Sequence, residues 1–223
     1  MLGQMPRWKL FSVGGHVVYL EPVFLVLVAV LVFSGLTSAA ELPEKLLWIP
    51  VLFIGVLWHE FGHAVAIKRF GYGPSTIVLQ GLGGVTINER RGDSSPGKSI
   101  IISLAGPLAS LSLTLIFGLA AFFYPAQDLL GSFFQMMAII NALWAVFNLL
   151  PISPMDGGHI VLHALRFKFD RRRAFLYSAY SSLAFLALVM VPLIATGYIS
   201  VFFGVILGLL FAAHNWQVIQ ALR

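Results

Sequence analysis

Long apolar runs separated by short polar stretches set the organisation of this chain. A helix that crosses a bilayer needs about 20 mostly apolar residues. The sequence offers six stretches of about that length: Val18 to Leu36, Leu46 to Ile67, Ile100 to Phe123, Leu130 to Leu150, Ala174 to Ala195 and Ile199 to Ile219. Glu21 and Pro22 sit near the start of the first. Thr196-Gly197-Tyr198 reads as a tight turn that makes the last two helices antiparallel neighbours. Residues 71–97 are too polar and glycine-rich to span. Within them, Thr76-Ile77-Val78-Leu79 and Val85-Thr86-Ile87 flank Gln80-Gly81-Leu82-Gly83-Gly84, a strand-turn-strand pattern. Non-helical backbone at membrane depth persists only where protein or a water-filled cavity satisfies its amides, so this hairpin is expected beside a cleft. The expected fold is an all-α polytopic membrane protein: one domain over 1–223, six transmembrane helices, and a small membrane-edge β-hairpin between helices two and three.

Composition excludes the soluble alternative. Of 223 residues, 59% are hydrophobic and 10% charged, against about 25% charged in an ordinary soluble domain. Mean hydropathy is +0.90. The net charge of +5 would point to nucleic acid in a soluble protein. Here the basic residues act as topology signals. Arg7 and Lys9 precede helix one; Lys68, Arg69, Arg90, Arg91 and Lys98 separate helices two and three; Arg166, Lys168, Arg171, Arg172 and Arg173 separate helices four and five; Arg223 follows helix six. Only Lys45 of the 14 falls on the opposite side. The positive-inside rule therefore predicts a multi-pass cell-membrane protein with both termini cytoplasmic. The Arg171–Arg173 run is assigned to topology and lipid headgroups, and no nucleic-acid partner is expected. Met1 to Leu20 lacks the apolar block and small-residue cleavage site of an export signal, so the first apolar run is expected to be retained. No repeat of fixed period and no appended soluble domain is visible.

With no cysteine, any metal must be held by histidine and carboxylate. His59-Glu60-Phe61-Gly62-His63 lies toward the cytoplasmic end of helix two. Positions i and i+4 share a helix face, so two imidazoles can take adjacent corners of a tetrahedral zinc site, with Glu60 placed to take a proton from water at the open corner. The bland alternative is a pair of hydrogen-bonded packing histidines. Against it stands cost, because an acidic group in a spanning helix costs about 2.5–3.5 kcal/mol on insertion scales.

Two histidines need a third protein ligand, for which Asp156 is the strongest remaining candidate. Pro151 and Pro154 stop helix four, and Gly157-Gly158 is read as permitting a turn that swings the carboxylate back toward the bundle. Taken alone, Asp156 would be a loop-capping carboxylate more often than a ligand; paired with the motif on helix two, the order reverses.

His59-Glu60-Phe61-Gly62-His63, the Ser103-Leu104-Ala105-Gly106-Pro107 opening of helix three, and Phe147-Asn148-Leu149-Leu150-Pro151 followed by Met155-Asp156-Gly157-Gly158 together resemble the site-2 protease family of intramembrane metalloproteases. The resemblance covers nearly the whole chain. It implies one Zn²⁺ per chain on His59, His63 and Asp156, Glu60 as general base, and Asn148 as a substrate or oxyanion contact. It also implies a transmembrane protein substrate cut near the cytoplasmic side. Asn148 has an equal reading as a helix-helix hydrogen bond. Gly81 to Val85 resembles the family's glycine-containing membrane-edge loop, which makes Gly83, Gly84 and Val85 a candidate strand for pairing with extended substrate. Neither a PDZ-like nor a CBS-like domain is present.

The remaining histidines carry less. His16 is expected to be a polar residue at the interface, without an assigned role. His159 and His163 stand at i and i+4 with no glutamate between them, and a fourth ligand there would close the position water needs. His214 reads as a packing or interfacial residue, with Trp216 as an interface anchor. Two other functions share the zinc chemistry: a metal-ion transporter or sensor, which could tolerate Glu60→Gln, and a membrane hydrolase of lipid amides. A zinc site with glutamate as third ligand is disfavoured, because the last glutamate is Glu89.

Overall fold

The computed structural model describes residues 6–81, 83–88, 95–196 and 201–222. Leu82 of the expected turn, Glu89, Arg90, Arg91, Gly197 and Tyr198 of the expected interhelical turn, Ile199 at the expected start of helix six, and Arg223 lie outside the described residues. In chain order the elements are β1 (Trp8–Val13), β2 (His16–Leu20), α1 (Pro22–Phe33), α2 (Leu42–Leu46), α3 (Trp48–Arg69), β3 (Thr76–Gln80), β4 (Gly83–Ile87), α4 (Pro96–Phe123), α5 (Leu129–Asn148), α6 (Asp156–Leu165), α7 (Arg171–Ala195) and α8 (Val201–Leu222). They form two compact units. The first takes the chain up to Asp93 and Ala105–Ala145; the second takes Ser94–Leu104 and Val146–Arg223.

The first unit corrects two expectations. The hairpin is half of a four-stranded sheet of order β1-β2-β3-β4, in which β2 and β3 pair in parallel and the outer pairs are antiparallel. The run taken as helix one is divided between a strand and a helix. Val18 and Leu20 belong to β2, and α1 begins only at Pro22, a residue whose fixed φ suits a first helical position. At 12 residues, α1 rises about 18 Å, well short of a bilayer core. Among the described residues, Pro96–Phe123 and Leu129–Asn148 are the two helices long and apolar enough to cross a membrane by length and composition.

Central β3 carries Ile77, Val78 and Leu79 wholly buried in succession, as expected of a strand covered on both faces. Ile77 and Leu79 pack with Val18, Leu20, Phe24, Val28, Val32, Leu52, Val56 and Ala64 in a core shared by the sheet, α1 and α3. α3 ends in a Schellman motif, with Gly71 N–H bonded to Lys68 O (3.0 Å) and Tyr72 N–H to Ile67 O (3.3 Å), which turns the chain toward β3. Lys68 then donates to Gly14 O (2.8 Å) and grips the β1–β2 turn. On the opposite side of α3, Gly62 lies against α4 so closely that a Cβ there would stand 2.3 Å from the Ala105 carbonyl oxygen.

His16 is buried in the sheet. Its Nδ1 accepts a bond from Ser75 N–H (2.9 Å), and its ring meets Phe61 edge-on. Burial, reinforced by the Lys68 charge, lowers its pKa from the ordinary 6.5.

The second unit holds α6, α7 and α8, with Ile152, Leu186 and Phe211 at its core. α6 was not foreseen: Asp156 is its first residue and not part of a loop. Gly157 and Gly158 have no positive φ, so their smallness serves a different purpose from a turn. A Cβ on Gly157 would lie 2.2 Å from Leu149 O, and one on Gly158 2.4 Å from Ser153 N, so both let α6 start directly against the backbone of residues 149–153.

Two outcomes follow. Gly→Ala in a helix ordinarily gains about 1 kcal/mol. Gly62→Ala is expected to destabilise by about 1–3 kcal/mol because the obstructing atom is backbone, whereas Gly208→Ala in α8, with nothing near its Cβ, is expected to be neutral or stabilising; thermal unfolding in detergent reads both. For His16, the folded state binds fewer protons than the unfolded state near pH 6, so its contribution is intact above pH 6.5 and falls as pH drops below that value. The unfolding midpoint of wild type is expected to fall more steeply from pH 7.5 to 5.5 than that of His16→Gln.

Candidate metal centre

α3 brings the HExxH residues together as its 3.6-residue period requires. His59, Glu60 and His63 are 3%, 5% and 8% exposed, so all three are desolvated. The two imidazoles turn their Nε2 atoms toward one another at 3.2 Å, with ring centroids 4.9 Å apart. Two imidazole nitrogens about 2.0–2.1 Å from one tetrahedral zinc ion stand about 3.3 Å apart, so the pair already has the spacing of adjacent zinc ligands.

α4 supplies the support for this pair. Ser110, wholly buried, stands 3.0 Å from His59 Nδ1. With Nδ1–H donating to that hydroxyl, the proton of the neutral ring is fixed on Nδ1, and the Nε2 lone pair is left for a cation. One turn earlier on the same face is Gly106. A Cβ there would lie 2.2 Å from His63 Nε2 and 2.7 Å from His59 Nε2, within the space between the two nitrogens and α4. Gly106 and Pro107 do not open the helix as expected; α4 begins at Pro96, and they lie about three turns further on. Trp144 of α5 faces His59 edge-on, ring centroids 6.5 Å apart, and closes another side with apolar surface.

β4 supplies the support for the glutamate. Thr86 Oγ1 donates to Glu60 Oε2 (2.7 Å) and lies 3.0 Å from the Glu60 carbonyl oxygen. A Cβ on Gly84 would lie 2.6 Å from Glu60 Cγ and 2.9 Å from Oε1, so the carboxylate passes over the strand where a side chain is missing. Of the candidate pairing residues, Gly83 lies against Trp144, with 3.1 Å from a would-be Cβ to its ring, and Val85 pairs across the ladder with Val78.

Asp156 stands half-buried at the start of α6, in the second unit. Two imidazoles and one carboxylate form a donor set suited to zinc. The loop before Asp156 is tied down within its own unit: Ser153 N–H donates to Ser182 Oγ (3.0 Å), Asn215 Nδ2 donates to Ser153 O (2.8 Å), and His214 Nε2 stands 3.3 Å from Ser153 Oγ. His214 therefore supports this loop in addition to packing. Asn148 is the last residue of α5, half-buried. His159 is exposed and His163 half-buried on α6, and neither is in the metal group.

Sequence reasoning missed Ser110, Thr86, Ser182 and Asn215. Two of them carried a weak signal. Ser110 is four residues after Gly106, on one helix face, and Thr86 is two after Gly84, on one strand face.

Comparison with known proteins bears on the family and the fold. A family model described as Peptidase M50B-like matches residues 22–155, and one described as Peptidase family M50 matches residues 125–191. A zinc metalloprotease of Methanocaldococcus jannaschii is 26% identical over 164 residues, 72% of this chain and 46% of the relative. The Rip3 protein of Mycobacterium tuberculosis is 36% identical over 116 residues, 50% of this chain and 29% of the relative. The Rip2 protein of Mycolicibacterium smegmatis is 31% identical over 176 residues, 61% of this chain and 68% of the relative. The chain thus spans less than half the length of the first two. The solved structure of a site-2 protease from Methanocaldococcus jannaschii shares the fold, with a TM-score of 0.67, 24% identity, and coverage of 96% of this chain and 95% of that one. The breadth of the family match, over more than half of the residues and across the HExxH helix, places this chain in the M50 peptidase family, the family of the site-2 proteases.

Proposed function

We propose that this chain is an intramembrane zinc endopeptidase, acting as one metalloprotease domain that cuts transmembrane segments of protein substrates near the cytoplasmic side. The observation that carries the reading is the pair of buried Nε2 atoms 3.2 Å apart beside a buried glutamate. His59, His63 and Asp156 would hold one Zn²⁺, whose Lewis acidity lowers the pKa of water and polarises the scissile carbonyl. Glu60 then performs the proton chemistry. Its carboxylate takes a proton from water as the water oxygen bonds to the carbonyl carbon, and returns it to the amide nitrogen as the C–N bond breaks. The products are a carboxylic acid and an amine.

β4 ends the order of the sheet, so one of its edges is open among the described residues. An extended substrate segment pairing with Gly83, Gly84 and Val85 would be carried past Glu60, whose side chain lies against Gly84. Asn148 is assigned to the substrate or the developing oxyanion. A helical substrate has its amides in internal hydrogen bonds, so helix-breaking residues near the cleavage point would assist entry. The distribution of basic residues supports a multi-pass arrangement with cytoplasmic termini.

The test is to incubate purified, zinc-loaded protein with a panel of single-span membrane substrates, reading cleavage sites by mass spectrometry. Glu60→Gln is expected to lose about 10²–10⁴-fold in cleavage while keeping zinc, and His63→Ala to lose zinc and cleavage together. Equal cleavage by wild type and Glu60→Gln would refute the mechanism.

A further inference from the structure

A general base must present one carboxylate oxygen in a fixed direction, yet a glutamate on a helix has three rotatable bonds. The ring of His59 is fixed from α4, by Ser110. Glu60 is fixed from outside its helix, by β4. Thr86 and Gly84 are two apart on that strand and therefore project from the same face. The β3–β4 register, with Thr86 opposite Ile77 and Gly84 opposite Leu79, anchors both positions to the most deeply buried strand. At one position a hydroxyl meets Glu60 Oε2 at 2.7 Å; at the other the missing Cβ leaves room for Oε1.

We infer that Thr86 is a positioning residue for Glu60: its hydroxyl holds Oε2 and so leaves Oε1, over Gly84, as the oxygen that exchanges the proton. This rests on the endopeptidase reading above. The hydroxyl has one proton and two acceptors within reach, the carboxylate at 2.7 Å and the Glu60 carbonyl at 3.0 Å, and the shorter, charge-assisted bond dominates. The same strand carries the candidate pairing residues, so its register fixes the distance between substrate backbone and base.

The experiment compares wild type, Thr86→Val, Thr86→Ala, Thr86→Ser and Glu60→Gln as zinc-loaded full chains on one cleaved single-span substrate, with zinc content and thermal midpoint measured for each. Removing a hydrogen bond to a charged group predicts a kcat loss of about 10- to 100-fold in Thr86→Val and Thr86→Ala, with KM within about threefold and zinc content unchanged. Thr86→Ser is expected to restore kcat to within about threefold of wild type. Wild-type kcat in either hydroxyl-free variant overturns the inference, as does a loss confined to KM or zinc content, or a Thr86→Ser variant as slow as Thr86→Val. If Thr86→Val fails to fold, Thr86→Ala and Thr86→Ser decide the matter by the same criteria. Equal cleavage by wild type and Glu60→Gln defeats the endopeptidase reading itself and this inference with it; loss of cleavage only in Glu60→Gln, with full kcat in Thr86→Val, defeats the inference alone.

Discussion

Three ionisable side chains lie on one apolar helix, each less than a tenth exposed, and their burial is what the neighbouring elements are arranged to tolerate. An ionised carboxylate taken out of water costs several kcal/mol. One hydrogen bond to a charged group returns about 1.5–3 kcal/mol. Thr86 alone therefore offsets part of the cost of Glu60, and Ser110 satisfies the ring nitrogen of His59 that faces away from His63. The two Nε2 atoms face each other at 3.2 Å. A cation shared between two Nε2 lone pairs at this spacing would remove the repulsion that two converging lone pairs otherwise carry.

Space is controlled as closely as charge. α3 has neighbours on two sides, and on each side a glycine stands where a methyl group would strike a functional atom: Gly106 of α4 against the imidazoles and Gly84 of β4 against the carboxylate. Gly62 does the same for the backbone, letting α3 and α4 approach until a single Cβ would reach the Ala105 carbonyl. These are positions of contact and not of unusual backbone, since none of the three has a positive φ. The sequence motif around Gly106 therefore reads best as a steric requirement of the HExxH face.

The parts of the site legible in the sequence are those that local periodicity dictates. His59, Glu60 and His63 share a face because a helix repeats every 3.6 residues, and the helix itself follows from a long apolar run. Asp156 was reached by elimination and by the resemblance of its Met-Asp-Gly-Gly segment, and was attached to the wrong local structure: two glycines suggested a turn, whereas they allow a helix to begin against preceding backbone. The sheet was half visible. β3 and β4 flank a glycine-rich turn, but β1 and β2 were absorbed into topology signals and a presumed helix, because Val17 to Leu36 is almost continuously apolar and period alone does not divide a buried strand from a helix. Arg7 and Lys68, taken as charges that set orientation, also hold Glu21 and the Gly14 carbonyl.

The loop before Asp156 shows why partners at long range stayed hidden. Its backbone at Ser153 is held at both ends of one residue, the N–H by Ser182 of α7 and the carbonyl by Asn215 of α8, 29 and 62 positions away in sequence. Ser182 and Asn215 look like ordinary polar residues in apolar helices, and nothing local marks them. Both are buried, at 1% and 0% exposure, and a buried side-chain donor is retained where the group it serves would otherwise be left unsatisfied. Here that group is the backbone three residues before a candidate ligand, so rotation about a single side chain cannot relieve an error in its placement. The carboxylate of Asp156 thus inherits its position from two helices that contribute no candidate metal ligand, just as Glu60 inherits its own from a strand.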